Sequence, residues 1–586
     1  MSSLLVEKVD NIKKKYHEMS TLKLCEAFLR FLLCAVTWVY FVAMAIGLPF
    51  YFDVETGYNM IGTNKGDFFM NCGFFLAKIF THILAFWAFI ALVRFFWEKR
   101  KEKGKVSMLL DTFLESLSLT DKFVIFYALA VFLSYYYSRY PDMAELGAGG
   151  WYMGFKPQML LIGSYFAISR LLAPKIDRAV PVAVGCLLGT AFVVFTLGLI
   201  NRFGVNPLSM EDVGPGFIST IGNINWYCGY WSVLFPLGAG LFLLLEEGNN
   251  RKAYIWKKGF LALYTGVGFA TGVTQGSDSC LLVFIGLLLL GGRLCVKELK
   301  RLQRFCEMLL LFCAVSAALT LVQKCFPERN QYVTDLYSMM TNMSFWSAVA
   351  VAVGLLYFLS GKKNICPIIC KIWYCMLGIF GVTFVSYIVL LIMNTLHPGI
   401  IGTLSEYPFF TFDSDWGSAR GATWAAGVHT WLGQDALYKL IGVGPDCMAA
   451  HIYSGPDEGL LTMVKEAFGN SRLTNAHGEW ITVLANLGVF GLVGFAGIII
   501  SAVVRFVRGG KKPVQGNAGE ESADTGVLEN PGKPATSVSK GLCIACGMAL
   551  LCYTANNIFS FQQVMNISQM FLVLGLGEAV CHSRNG

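Results

Sequence analysis

The chain has 586 residues, of which 55% are hydrophobic and only 14% charged, and its net charge is +8. A soluble domain carries about 25% charged residues, so this composition excludes an ordinary water-soluble enzyme. The basic residues fall in short clusters between apolar runs and form no continuous patch, which excludes a nucleic-acid partner.

The first 24 residues are polar and basic, so no cleavable signal peptide is expected. Beyond them, apolar runs recur that are long enough to cross about 30 Å of hydrocarbon. Fourteen spanning helices are predicted, near residues 28–52, 68–93, 121–141, 157–173, 180–201, 224–245, 259–275, 279–292, 305–323, 344–360, 369–394, 479–504, 541–559 and 564–581. A membrane barrel would instead alternate in polarity over segments of about ten residues. The expected fold is therefore all-α, a polytopic bundle of transmembrane helices. Residues 1–200 carry the N-terminal spans and 201–394 the central spans. A long loop occupies 395–478, a span opened by His477 occupies 479–507, a linker 508–540, and a C-terminal hairpin 541–586.

Lys8, Lys13, Lys14 and Lys15 precede the first span; Lys99, Arg100, Lys101 and Lys103 follow the second. Arg251 and Lys252, Arg293 and Lys297, Lys362 and Lys363, and Arg505 and Arg508 continue the series on the same side. The positive-inside rule makes that side cytoplasmic and puts both termini there. The 508–540 stretch is polar and rich in Gly, Pro and Ser, and cannot bury enough apolar surface to order itself. The 395–478 loop falls on the opposite, extracytoplasmic side. With Trp416, Trp424, Trp431, Tyr438, Leu440 and Met448 it has the means to fold against the membrane surface.

The 18 cysteines lie mostly inside apolar runs, as Cys34, Cys186, Cys313 and Cys552 do, where they pack as small hydrophobes. Cys543 and Cys546 form a CxxC within a span but lack a second ligand pair, and no metal is expected. No Walker loop, dinucleotide fingerprint, HExxH or GxSxG is present, so no cofactor is expected either.

Chemistry concentrates in the long loop. SARGATWAAGVHTWLGQDALYKL, Ser418–Leu440, has apolar positions at helical spacing and Arg420 at its start. Two readings of Arg420 are open: its fork binds a diphosphate, or it pairs with Asp413 or Asp415. LIGVGPDC follows as a tight turn. His477 then stands at the first turn of the next span, where the helix dipole disfavours imidazolium and leaves a neutral ring able to act as base. The other reading is an interfacial histidine bonded to a loop carbonyl. Glycines 488, 491, 494 and 497 read as helix packing. Lys78 and His82 share a helical face in the second span, either contacting a lipid phosphate or solvated near its external end. Asp278, in TQGSDSC, sits at a short turn and reads as a turn cap or a site residue.

Several motifs in order resemble the O-antigen ligase and polymerase family of bacterial membrane glycosyltransferases. They are GNINW (Gly222–Trp226), SARGATW leading into LIGVGP, NAHGEWITVLANLGVFGLVGF, and the C-terminal NIFSFQQVMNISQMFLVLGL. The resemblance covers roughly residues 200–580. It implies transfer of a glycan from undecaprenyl diphosphate to an acceptor hydroxyl outside the bacterial inner membrane, with inversion and without metal or nucleotide. Arg420 would hold the diphosphate, His477 would take the acceptor proton, and Asn225 of the GNINW element would contact substrate. The expected partners are a polyprenyl-diphosphate-linked glycan donor, a glycan or lipid-glycan acceptor, and membrane lipid. One departure stands out: where many of these ligases carry a Ser-Arg pair, this chain reads GSDS, with Asp278 at the arginine position. Arg202, Arg329 and Arg472 are the external basic residues available to replace that arginine. A polymerase of the same family and a transporter of small anions or lipid-linked glycans are the alternatives. A transporter would show paired repeats, and no clear repeat is present.

Overall fold

The computed structural model describes residues 21–99, 116–330, 332–361, 365–455, 457–509 and 537–585. Most of the 508–540 linker and the lysines at 8, 13, 14, 15, 101, 103, 362 and 363 lie outside the described residues.

The chain is almost entirely helical. Its principal helices in order are α1 (Thr21–Phe50), α2 (Ile61–Lys99), α3 (Leu119–Tyr136), α4 (Phe155–Leu171), α5 (Ile176–Arg202), α6 (Ile224–Leu243), α7 (Arg251–Gln275), α8 (Asp278–Cys295), α9 (Leu299–Cys325), α10 (Met343–Ser360) and α11 (Cys366–Leu396). The loop region holds α12 (Trp416–Leu432), α13 (Ala436–Ile441), α14 (Met448–Ser454) and α15 (Glu458–Phe468). The bundle then resumes with α16 (Glu479–Val507), α17 (Ser537–Asn556) and α18 (Val564–Asn585). The only named strands among the described residues, β1 (Phe217–Ile218) and β2 (Gly222–Asn223), pair antiparallel just before α6.

Each of the fourteen expected spans coincides with a helix. Ten are long and apolar enough to cross a membrane, which marks a multi-pass membrane protein. The other four, α4, α6, α7 and α17, pack among them. Side-chain caps set several of the starts. Ser118 Oγ accepts from Asp121 N while the Asp121 carboxylate accepts from Ser118 N, a capping box that opens α3. Asn223 and Asn250 cap α6 and α7 with one bond each, their side chains accepting from Asn225 N and Ala253 N. Gly276, at φ 65°, ends α7 in a left-handed turn.

Water exclusion does not drive helices together inside lipid, so close packing does. One large core runs through α1, α3 to α9 and α16 to α18. At its centre lies α18, buried along its whole spanning length. By contrast little of the spanning length of α2 and α11 is fully buried, although Phe69 and Leu76 of α2 join the core. The 395–478 loop has the core of its own that its composition promised. Ala426, Met448, Ile452, Leu460, Val464, Leu473 and Ala476 cluster there, separate from the bundle core.

Candidate functional site

The site is organised by a break in α16. Gly488 leaves helical geometry at φ 65°, ψ −165°, a region open essentially to glycine alone. The break frees carbonyls that, at membrane depth, need donors from within the protein. The GVGP turn supplies them. Val443 N donates to the Ala485 carbonyl at 3.2 Å and Gly444 N to that of Asn486 at 3.0 Å. Met448 N donates to Asn486 Oδ1 at 2.8 Å. The contact requires glycine on both sides: a Cβ at Gly442 would stand 2.2 Å from Asn486 O, and one at Gly488 2.4 Å from the Leu440 carbonyl. The four-glycine packing stripe is thereby corrected. Gly494 and Gly497 do admit α3, at Tyr127 and Phe123, but Gly488 makes the break and Gly491 faces Leu487 of its own helix.

Arg420 is presented by strained backbone. Gly417, Ser418 and Ala419 lie at φ 61°, 60° and 65° within α12. Left-handed geometry costs non-glycine residues about 1–2 kcal/mol each and concentrates at functional sites. The guanidinium bonds carbonyls only: Nη1 donates to Gly417 O at 2.9 Å and Ser418 O at 3.4 Å, while Nε and Nη2 donate to Phe559 O at 3.4 Å. Asp413 instead accepts from the backbone N–H groups of Asp415 and Trp416, so the ion-pair reading of Arg420 is not what the structure holds. Burial lowers the Arg420 pKa from its usual value, and the charge of Asp278 acts in the opposite direction. No side-chain cap bond forms at the start of α8, so Asp278 is not the turn cap; its carboxylate is exposed beside Arg420.

His477 lies two residues before α16, outside the first turn where it was expected, with φ 49°. Its N–H donates to Asn475 Oδ1 at 2.9 Å, and its ring stands edge-on to Phe561, centroids 5.0 Å apart. Among the described residues its ring nitrogens bond no loop carbonyl. Burial, and after it the charge of Arg420, pushes the imidazole pKa down to about 4. Burial and the charge of Arg420 both favour the neutral ring.

Sequence reasoning missed the element that joins the two residues. The turn between α17 and α18 carries both Phe559, whose carbonyl receives Arg420, and Phe561, whose ring meets His477. Those positions are two residues apart, at most about 7 Å along the chain. Phe559 also stacks on Trp424, one helical turn beyond Arg420, with centroids 5.6 Å apart. Phe561 packs on Trp151, and Trp151 on Trp226 of GNINW. The polar run NNIFSFQQ inside an otherwise apolar hairpin was the available signal.

Beside Phe561 lies a cavity of about 30 Å³, room for one or two waters. Asp446, Glu479, Gln158, Asn475, Thr482 and Asn486 contribute polar walls. Asp446 accepts from Ala148 N at 2.8 Å and Met153 N at 3.3 Å. Burial nonetheless pushes its carboxyl pKa up to about 7, those two bonds pulling against it.

The remaining candidates are placed differently. Asn225 sits in the first turn of α6, its N–H on the Asn223 cap, behind the Trp226–Trp151 pair. Arg202 is buried and engaged, with Nε on Gln275 Oε1 at 2.9 Å, its other nitrogens on Pro215 O, and its plane over Tyr332. Gln275 is three residues from Asp278, so Arg202 reaches the same turn as Arg420 from inside the bundle. Arg472 is exposed and lies over the Tyr453 ring, and Arg329 is exposed at the end of α9. Lys78 and His82 are exposed together, with His82 Nδ1 2.6 Å from Lys78 O. They lie about 25–30 Å along α2 from its start at Ile61, in mid-helix and not near the span's end.

Neither a scan against protein-family models nor a search of the curated proteins gave a match. Fold and site together define a multi-pass helical membrane protein whose arginine and histidine meet the same interhelical turn.

Proposed function

We propose that this chain is a glycan ligase of the O-antigen ligase and polymerase type, set in a bacterial inner membrane with all fourteen helices crossing and both termini cytoplasmic. The observation that supports it is the convergence of Arg420 and His477 on Phe559 and Phe561, with no carboxylate among the described residues hydrogen-bonded to Arg420.

In the reaction, the acceptor hydroxyl oxygen attacks the anomeric carbon from the face opposite the diphosphate. The new C–O bond forms as the bond to the diphosphate breaks, and its electron pair leaves on the diphosphate. Arg420 pairs with that leaving charge, and His477 takes the hydroxyl proton. Attack from the opposite face inverts the anomeric centre. An imidazole with a pKa of about 4 is a weak base in the free protein. A bound diphosphate offsets the Arg420 charge that helps to depress it, so donor binding raises the proton affinity of His477 when the proton must move.

The test uses purified protein in nanodiscs with a labelled undecaprenyl-diphosphate glycan and a panel of hydroxyl acceptors. Transfer by wild type, reduced at least 100-fold in both His477→Ala and Arg420→Ala with folding intact, is the expected result. Undiminished transfer in both variants would remove this site. Movement of anions or glycolipid across vesicles, with no transfer to any acceptor, would favour the transporter instead.

A further inference from the structure

The 557–562 turn touches both proposed reacting groups; Asn566 Nδ2 donates to Phe561 O at 3.1 Å from the start of α18, and further bonds tie the turn to α16. Two of them come from one residue. Glu479 N donates to Asn557 O at 2.9 Å, and Gln562 N donates to Glu479 Oε2 at 2.5 Å. At a helix start the first N–H groups have no partner within the helix, and here one of those donors is used to anchor the far element. Glu479 therefore grips both ends of the segment Asn557–Gln562. Between the grips lie the carbonyl that receives Arg420 and the ring that meets His477. Glu479 is 2% exposed, and its carboxylate lines the cavity shared with Asp446. It touches neither Arg420 nor the His477 ring.

We infer that Glu479 is a positioning residue, a clasp that holds the Asn557–Gln562 turn at the distance where Phe559 and Phe561 set the orientations of Arg420 and His477. The inference rests on the glycosyl-transfer reading for its catalytic consequence. Its structural content stands apart from that reading: a side chain of the length of glutamate ties the Gln562 end of this turn to α16, where the backbone of the same residue holds the Asn557 end. The grip depends on reach and on an acceptor oxygen, not on charge. Glutamine keeps both, whereas aspartate keeps the charge but falls one methylene short of Gln562 N.

The experiment compares wild type, Glu479→Gln, Glu479→Asp and Glu479→Ala in nanodiscs, with His477→Ala alongside. Amide hydrogen exchange over 557–562 and steady-state transfer are measured on each. The clasp predicts that Glu479→Gln keeps wild-type protection of the turn and transfer within about 3-fold. Glu479→Asp should lose protection there and lower kcat by 10- to 100-fold, with KM for the donor changed less than 3-fold. Glu479→Ala should match it wherever it folds. The reverse order, aspartate active and glutamine inactive, would overturn the clasp in favour of a charge or proton role. Wild-type protection in Glu479→Asp would overturn it as well. If wild type and every variant fail to transfer while the exchange pattern follows side-chain length, the glycosyl-transfer reading falls and the clasp stands.

Discussion

Replacing Asp446 with asparagine should make the protein more stable, and only above a definite pH. The Asp446 carboxyl is raised from an ordinary value of 3.8 to about 7. The folded protein therefore holds this proton more tightly than the unfolded chain does. Between about pH 4 and 7 the folded state carries the extra proton, so stability falls as pH rises through that window. The loss is complete above pH 7. Three pH units at 1.36 kcal/mol each put it at up to about 4 kcal/mol; water in the adjoining cavity reduces it. Asparagine keeps an oxygen for Ala148 N and Met153 N and has no charge to desolvate. Unfolding of wild type and Asp446→Asn should be followed in the same detergent at pH 4.5 and pH 8. The variant's advantage should be small at pH 4.5 and larger by about 2–4 kcal/mol at pH 8. An advantage that does not change with pH, or that shrinks as pH rises, would refute the argument. Glu479 faces the same cavity, so Glu479→Gln provides the control for coupling between the two carboxyls.

Two further outcomes follow from the same geometry. Gly488→Ala places a Cβ 2.4 Å from the backbone of Leu440 at a φ of 65°, and strain and overlap together should cost about 3–5 kcal/mol; a melting temperature within 2 °C of wild type, where roughly 1 kcal/mol shifts a large chain by about 2 °C, would show that the GVGP contact does not hold as described. His477, followed by NMR of labelled imidazole, should titrate near 4 in the free protein and move upward when inorganic diphosphate is added; an unshifted titration with diphosphate demonstrably bound would separate His477 from the Arg420 charge.

The positions of the helices were legible because each apolar run is bounded by polar or capping residues such as Ser118, Asn223 and Asn250. That the 395–478 loop buries a cluster was expected from its apolar residues, but the tryptophans are not in it: Met448 is, with Ala426, Ile452, Leu460 and Val464, and Ala485 of α16 completes it. The sequence permits Arg420 and His477 to meet without requiring it. The local backbone was not legible. Glycine at 488 has the same letter and spacing as glycine at 494, and only the dihedral angles distinguish a broken helix from a packed one. Arg202 has a phosphate-binding side chain by type, but Gln275, Pro215 and Tyr332 are brought around it by tertiary packing that spacing does not reveal. His477 was read as neutral on account of a dipole; burial and the charge of Arg420, which spacing does not reveal, act in the same direction.

The wall shared by Arg420 and His477 is contributed by the last hairpin, and α18 threads the centre of a bundle built from everything before it. During translation the arginine and the histidine reach the membrane well before Phe559 and Phe561 leave the ribosome. A chain stalled or cut short in the 508–540 region contains both side chains but lacks the Phe559 carbonyl and the Phe561 ring that they meet. Order of synthesis thus sets order of assembly: the surroundings of Arg420 and His477 are completed only when the last hairpin has packed, so a lesion near the carboxyl end reaches both residues.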